Sequence, residues 1–265
     1  MLTVGFIGAG KMAEALIRAI LTLDEEIKII ASDVVEDRRR LMGTIERVEA
    51  TDNNRRVAAE ADIIFLAVKP QTMDAILEEI QDTEKLVVSI AAGIGIGRME
   101  AKLTRARVIR IMPNTPCLVG EMAGGFALGS RATQNDAEQV LRLLRNAGRI
   151  YQLDERHLDA VTALSGSGPA FIAYIIKAMA AGAVRQGLPQ DVALKLAVQT
   201  ALGTGKLLRE MNLSPDALIA MVSSPGGTTV AGRGVLESSD VKAVLEQTIA
   251  AATERGRELG REAKK

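Results

Sequence analysis

Near its C-terminal end the chain reads Ser223-Ser224-Pro225-Gly226-Gly227-Thr228-Thr229-Val230-Ala231-Gly232, and a helical pattern follows at once. Small hydroxyl residues and glycines at a helix start leave backbone N–H groups unpaired and place weak donors around them. Such a segment binds a carboxylate or a phosphate.

The opposite end carries a second constellation. Gly8-Ala9-Gly10-Lys11-Met12-Ala13 is G-x-G-x-x-A, placed after the apolar run Leu2–Ile7 and at the opening of a helix. The first glycine permits a tight turn. The second lets the backbone approach a pyrophosphate, and the small Ala13 lets the helix lie close on the strand. A bare G-x-G-x-x-A can be a merely structural turn, but here strand, turn and helix agree and a dinucleotide-binding turn is expected. Asp33 ends the next strand, where an acid accepts hydrogen bonds from the adenosine ribose and favours NAD over NADP. Ser32 stands beside it, and Arg38, Arg39 and Arg40 follow. Those arginines either neutralise a 2′-phosphate or form a solvated helix face, and the second reading is preferred.

Three further loops fall at the carboxyl ends of strands, where open parallel sheets bind ligands. Ala67-Val68-Lys69-Pro70 and Ala91-Ala92-Gly93 offer small residues against which a nicotinamide ribose can lie. Lys69, directly before a proline, reads as a positioning residue as readily as a catalytic amine. Met112-Pro113-Asn114-Thr115-Pro116 is stiffened by two prolines that aim Asn114 and Thr115 at the same crevice. Cys117 is the one cysteine and His157 the one histidine, far apart in the chain. A Cys–His pair is not expected, and no spacing of ligand residues suggests a metal.

These residues need a frame. Strand and helix signals alternate to about residue 153. Strands are expected at Leu2–Ile7, Ile27–Ser32, around Val48, Asp62–Val68, Leu86–Ile90 and Val108–Met112. Phe126–Leu128 and Ile150–Leu153 add one edge strand or two. Helices are expected at Met12–Leu23, Val35–Met42, Asn54–Glu60, Thr72–Ile80, around Arg98–Leu103 and at Gln134–Ala147. Continuous apolar strands with helices between them make a parallel sheet covered on both faces.

After Asp154 only helical patterns remain: Glu155–Ser165, Pro169–Gln186, Gln190–Met211, Pro215–Val222, Val230–Leu236 and Val241–Lys264. The expected fold is α/β, a Rossmann-type doubly wound parallel sheet over 1–153 followed by an all-α dimerisation and substrate-binding domain over 154–265. Pro169–Ala183 and Leu194–Gly205 are apolar nearly all round, so a second subunit is the expected cover.

Lys plus Arg and Asp plus Glu number 33 each, a net charge of zero that argues against nucleic-acid binding. The longest apolar run, Pro169–Ile176, is too short for a bilayer span. With no leader read before Val4 and a single cysteine, a cytoplasmic protein is expected.

On these residues the chain resembles the pyrroline-5-carboxylate reductase family over essentially its full length. The resemblance rests on Val4–Met12, Leu66–Gln71, Ile90–Gly93, Arg110–Pro116, Leu164-Ser165-Gly166-Ser167-Gly168-Pro169-Ala170-Phe171 and Val222–Gly232, the last two being the most specific. It implies reduction of the cyclic imine 1-pyrroline-5-carboxylate to L-proline by NADPH or NADH, in an interleaved homodimer often built further into a decamer. It implies that the substrate carboxylate meets Ser224 and the N–H groups of Gly227 and Thr228, with the Thr229 hydroxyl at the ring nitrogen. It implies cofactor contacts from Ile7, Gly8, Ala9, Gly10, Lys11 and Met12, from Ser32, Asn54, Ala67, Val68, Lys69 and Pro70, and from Ala91, Ala92, Gly93 and Asn114. The chain departs from the family in one place: the acid common just before the proline of the preceding loop is not clearly matched, Glu210 and Asn212 being the nearest candidates around Pro215.

The chemistry is coherent with the residues at hand. An iminium is already electrophilic, so a hydride donor, an orienting hydroxyl and binding geometry suffice. In the related hydroxyacid dehydrogenases a Lys stands where this chain has Ile172, so an alcohol-oxidising mechanism lacks its base. The alternatives are another reductase of the superfamily acting on a small carboxylate, and a dinucleotide-sensing regulator without turnover.

Overall fold

The protein is described here by a computed structural model over residues 1–262. It groups into two compact units. One comprises Met1–Ser167 with the segment from Ala251 onward, the other Gly168–Ala250.

The first unit is built on one eight-stranded sheet. Its strands are β1 (Leu2–Ile7), β2 (Ile27–Ser32), β3 (Val48–Thr51), β4 (Ile63–Leu66), β5 (Leu86–Ser89), β6 (Arg107–Met112), β7 (Met122–Leu128) and β8 (Gly148–Gln152), in the order β3-β2-β1-β4-β5-β6-β7-β8. The first six are parallel, β7 runs antiparallel to β6, and β8 is parallel to β7. Every residue of β4 and β5 is buried, as a parallel strand covered on both faces requires. The order reverses between β1 and β4. That switch point opens a crevice at the carboxyl ends of these two strands.

Helices α1 (Lys11–Leu21), α2 (Glu36–Gly43), α3 (Asn54–Glu60), α4 (Met73–Glu79), α5 (Ile96–Lys102) and α6 (Gln134–Leu144) complete the layers. In α1, Ala13, Leu16, Ile17 and Ile20 recur at helical spacing and are fully buried. They join Val4, Phe6 and Phe65 in the core on one face of the sheet. Val57, Met73, Leu77 and Met99 belong to a separate core with Ile64 and Val87. Helix α6 begins with a capping box, Thr133 accepting from the Asp136 N–H and Asp136 from the Thr133 N–H.

Strand β7 starts four residues before the expected Phe126, because Met122-Ala123-Gly124-Gly125 has too little β-propensity to read as strand. The expected helix Glu155–Ser165 is divided. It comprises a 3-10 turn (Glu155–His157), a single helical turn α7 (Leu158–Val161) and a π-turn (Thr162–Gly166). Serines and glycines after Leu164 hold a regular helix poorly, and the Ser167 N–H reaches back to the Thr162 carbonyl at 2.9 Å.

The second unit contains α8 (Gly168–Arg185), α9 (Gln190–Glu210), α10 (Pro215–Met221), α11 (Thr228–Glu237) and the start of α12 (Val241–Glu262). The last two residues of the expected helix Val241–Lys264 lie outside the described residues. Helix α11 runs through Gly232 and Gly234 despite their low propensity. α8 meets α9 through the buried Ala180, Ala193 and Ala197, with Ile176 and Ala183 beside them.

Candidate dinucleotide and substrate sites

The turn after β1 has the geometry its sequence requires. Gly8 sits at φ 92°, and a side chain there would collide with the Ala67 carbonyl, its Cβ only 2.5 Å from that oxygen. Around a Cβ on Gly10 nothing lies within 4 Å, so the backbone is open to a ligand on that side. Gly10 caps α1 with no side chain over the first N–H groups of the helix. Those groups and the helix dipole supply a diphosphate cradle. Main-chain bonds hold the rim. The Gly8 N–H donates to the Ser32 carbonyl and the Ala67 N–H to the Ile7 carbonyl, each at 2.8 Å.

A hollow of about 460 Å³ opens beside this turn, and its lining includes Ile7, Gly8, Gly10, Ser32, Asp33 and Asn54. Ala67, Val68 and Lys69 close its other wall. Ile7 is buried, so it offers only backbone. Ser32 is fully buried, and its hydroxyl donates to Asn54 Oδ1 at 2.7 Å. The Asn54 amide in turn donates to Glu79 at 2.8 Å, which fixes its orientation. Asp33 accepts the Ala9 N–H at 2.8 Å and the Val35 N–H at 2.9 Å.

The sequence reading missed the apolar part of this wall, Val34, Val35 and Ile76 with Thr72 beside them. Val34 is 89% exposed at this rim, beside the half-exposed Val35. A pair of valines directly after the strand-ending acid was the available signal.

The arginines of α2 do not behave alike. Arg40 pairs with Glu36 on the surface, as a solvated face predicts. Arg38 instead turns inward, donating to the Ala9 carbonyl at 2.6 Å and pairing with Glu14 at 2.9 Å. Arg39 donates to the carbonyls of Asp33 and Val34. For Glu14, burial pushes the carboxyl pKa up, but hydrogen bonds and charge from Arg38 and Arg18 bring it below the ordinary value.

Pro70, Ala92 and Gly93 line a separate hollow of about 420 Å³ at the ends of β4 and β5, together with Thr162 and Arg98. Ala91 is buried behind them. Lys11 is exposed and Met12 half-buried at the start of α1. Asn114 is 6% exposed, and its side chain is committed inside the protein. Its amide donates to the Ser165 carbonyl at 3.0 Å, and its oxygen accepts the Ala123 N–H at 2.9 Å. Its side chain therefore holds the π-turn against β7, and its carbonyl accepts the Cys117 N–H at 3.2 Å. A larger hollow of about 900 Å³, near Glu25, Lys28 and Arg47, lies at the amino ends of β2 and β3. That is the wrong end of a parallel sheet for a ligand.

In the second unit, Gly226 takes the left-handed conformation at φ 69° and turns the chain into α11. Gly227 caps that helix, and its N–H closes the turn on the Ser224 carbonyl at 2.9 Å. The free donors at this helix start are therefore the N–H groups of Thr228, Thr229 and Val230. Ser224, Thr228 and Thr229 are exposed. Ser223 is engaged instead, donating to the Ile219 carbonyl at 2.6 Å. Among the described residues no group of three or more His, Cys, Asp or Glu could hold a metal ion.

Residues 155–259 match a family model for pyrroline-5-carboxylate reductase dimerisation, and residues 3–93 match one described as NADP oxidoreductase coenzyme F420-dependent. The chain is 42% identical to the pyrroline-5-carboxylate reductase of Methanosarcina acetivorans, with 97% of this chain and 98% of the relative covered. It is 38% identical to the Arabidopsis thaliana enzyme over 97% of this chain and 95% of that one. The structure of the Coxiella burnetii pyrroline-5-carboxylate reductase superposes with a TM-score of 0.91 at 32% identity, covering 97% of each chain. That of Plasmodium falciparum pyrroline carboxylate reductase with NADP bound gives 0.83 at 28% identity, covering 98% of each.

Proposed function

The chain belongs to the pyrroline-5-carboxylate reductase family, and from that premise we propose which of its residues carry the reaction. The activity is NAD(P)H-dependent reduction of the C=N bond of 1-pyrroline-5-carboxylate to L-proline. The observation that carries it is kinship at 42% identity along nearly the whole length of both chains. The open Gly10 backbone at the start of α1 fits the dinucleotide that this chemistry needs.

A dinucleotide held at this turn would supply a hydride to the carbon of the C=N bond, and with the ring nitrogen already protonated as the iminium that hydride alone completes the amine. Ser224 and the N–H groups of Thr228 and Thr229 hold the substrate carboxylate at the positive end of α11. The Thr229 hydroxyl orients the ring nitrogen, donating to the imine or accepting from the iminium. Gly227 contributes by shaping the turn. On the cofactor side, Gly8 to Met12 cradle the diphosphate, Ser32, Asp33 and Asn54 border the adenosine ribose, and Val68 with Ala92 and Gly93 bounds the nicotinamide end.

Function divides near residues 153 and 154 in this reading. The helical part mediates self-association, as its family model describes. The proposed assembly is a homodimer able to build further into a decamer. The run Glu155–Arg185 is long and apolar enough to cross a membrane by length and composition, with 6% of its most apolar window buried. We propose that a second copy covers it and that the protein is cytoplasmic, without a membrane or nucleic-acid partner. The dimerisation family supports the first point. The single buried cysteine and zero net charge support the others.

Oxidation of NADPH and of NADH should be followed on addition of the cyclic imine, with proline identified as product. Consumption of neither cofactor would overturn the reading.

A further inference from the structure

We propose that this chain selects NADH over NADPH and that the fixed carboxylate of Asp33 makes the selection. The inference rests on the reductase reading, since it concerns the cofactor of that same site.

Asp33 stands at the carboxyl end of β2, on the rim of the hollow beside the Gly8–Gly10 turn. Its two oxygens are held from different sides, Oδ2 by the Ala9 N–H at 2.8 Å and Oδ1 by the Val35 N–H at 2.9 Å. A carboxylate tethered in this way cannot swing aside when a ligand arrives. Each oxygen keeps a second acceptor position, and the two hydroxyls of an adenosine ribose are donors that match them.

A 2′-phosphate fits poorly. It offers no donor and brings a charge of about −1.5 to −2 against the Asp33 carboxylate. An enzyme that accepts such a group needs a cation to offset the repulsion. Asp33 makes no ion pair among the described residues. The arginines that follow on α2 each have partners other than the Asp33 carboxylate, and Lys69 stands on the opposite wall of the hollow. Arg38 borders the same hollow, but its charge is paired with Glu14 and its Nε is bonded to the Ala9 carbonyl. Arg40 faces solvent with Glu36. Arg39 spends one terminal nitrogen on the Asp33 and Val34 carbonyls. It braces the segment that carries the acid.

Ala9 is therefore gripped on both of its peptide groups, its N–H by Asp33 and its carbonyl by Arg38. The residue that discriminates is the one that also sets the shape of the diphosphate turn. Asp33→Asn separates the two roles, because with its oxygen toward Ala9 the amide still accepts that N–H while the charge and the acceptor for the Val35 N–H are gone.

Dissociation constants for NADH and NADPH, read from the fluorescence of the bound reduced cofactor without substrate, test this directly. The wild-type protein should bind NADH more tightly. Asp33→Asn should lower the ratio of Kd(NADPH) to Kd(NADH) by about tenfold, and by no less than about threefold, mainly through tighter NADPH binding. Asp33→Ser should move the ratio the same way and stands in should Asp33→Asn fold poorly. Arg39→Ala should weaken both cofactors alike.

A wild-type preference for NADPH, a smaller shift on removing the charge, or a selective loss of NADPH in Arg39→Ala each overturns the proposal. Preferential NADH binding without imine reduction would instead overturn the reductase activity and leave the selection standing.

Discussion

In the sheet-bearing unit Phe6, Phe65 and Phe126 are no more than 1% exposed, whereas in the helical unit Ile172 and Tyr174 are 53% and 75% exposed. Both units are rich in aliphatic side chains, so composition does not separate them. The first packs most of its large apolar side chains into two cores built on the sheet. The second has a small buried seam of alanines between α8 and α9. Alanine at such a seam lets two helices approach closely and pushes the larger residues outward. A stripe of Ile172, Ile175 and Met179 at i, i+3 and i+7 on α8 is left exposed. The difference teaches that one unit is complete as a single chain and the other is built to be completed.

The largest expected effect breaks that second kind of surface. Ile172→Glu places a charge on the exposed α8 stripe and should cost ~3 kcal/mol or more at a subunit contact, a hundredfold or greater weakening of self-association. Light scattering over a dilution series should reveal the smaller species. Unchanged size at high dilution would mean this stripe faces water. Ala180 is a poor choice for the same test, because it is buried in the α8–α9 seam and a charge there would disrupt the unit itself.

The next effect is catalytic. Thr229→Ala should lower kcat/KM by about ten- to a hundredfold through loss of one hydrogen bond to a reacting or charged group. The affinity for NADH in the absence of substrate should stay close to that of the wild type, and Thr229→Ser should recover much of the loss. Wild-type turnover in the alanine variant would remove Thr229 from the mechanism.

Asn114→Ala sharpens the contrast from the other side. It leaves the Ser165 carbonyl and the Ala123 N–H without their partner, a cost of about 1–3 kcal/mol. The melting temperature should fall by roughly 3–8 °C with no change in oligomer size. A change in size with no change in melting would reverse the roles assigned to the two units.

The smallest effect concerns Cys117. Burial pushes its thiol pKa up to about 11, so at neutral pH the group stays protonated. Alkylation of the folded protein should be slow near pH 7 and should quicken as pH climbs toward that value. Fast labelling at neutral pH, with loss of activity, would contradict a closed first unit.

The sequence made the dinucleotide turn plain because its constraints are local. A tight turn, an open backbone and a small residue at Ala13 each demand a residue type at a fixed offset. The inward turn of Arg38 was not legible, since its partners Glu14 and Ala9 are brought together only by the crossover between β1 and β2. The π-turn escaped for a similar reason, as Asn114 lies a strand pair away from Ser165. In the substrate loop the residue types were readable. That the Gly227 N–H is used within the turn follows only from the left-handed Gly226.

Helix α12 begins in the helical unit and ends in the sheet-bearing one, where an added Cβ on Gly93 would lie 3.7 Å from the Gly260 nitrogen. In chain order the helical unit is therefore an insertion. The polypeptide leaves the nucleotide-binding unit once and returns to finish it. No single cut releases that unit whole, and excising the insertion requires rejoining Ser167 to Ala251. A frameshift or stop codon late in the message would remove the end of a helix that belongs to the part of the protein made first.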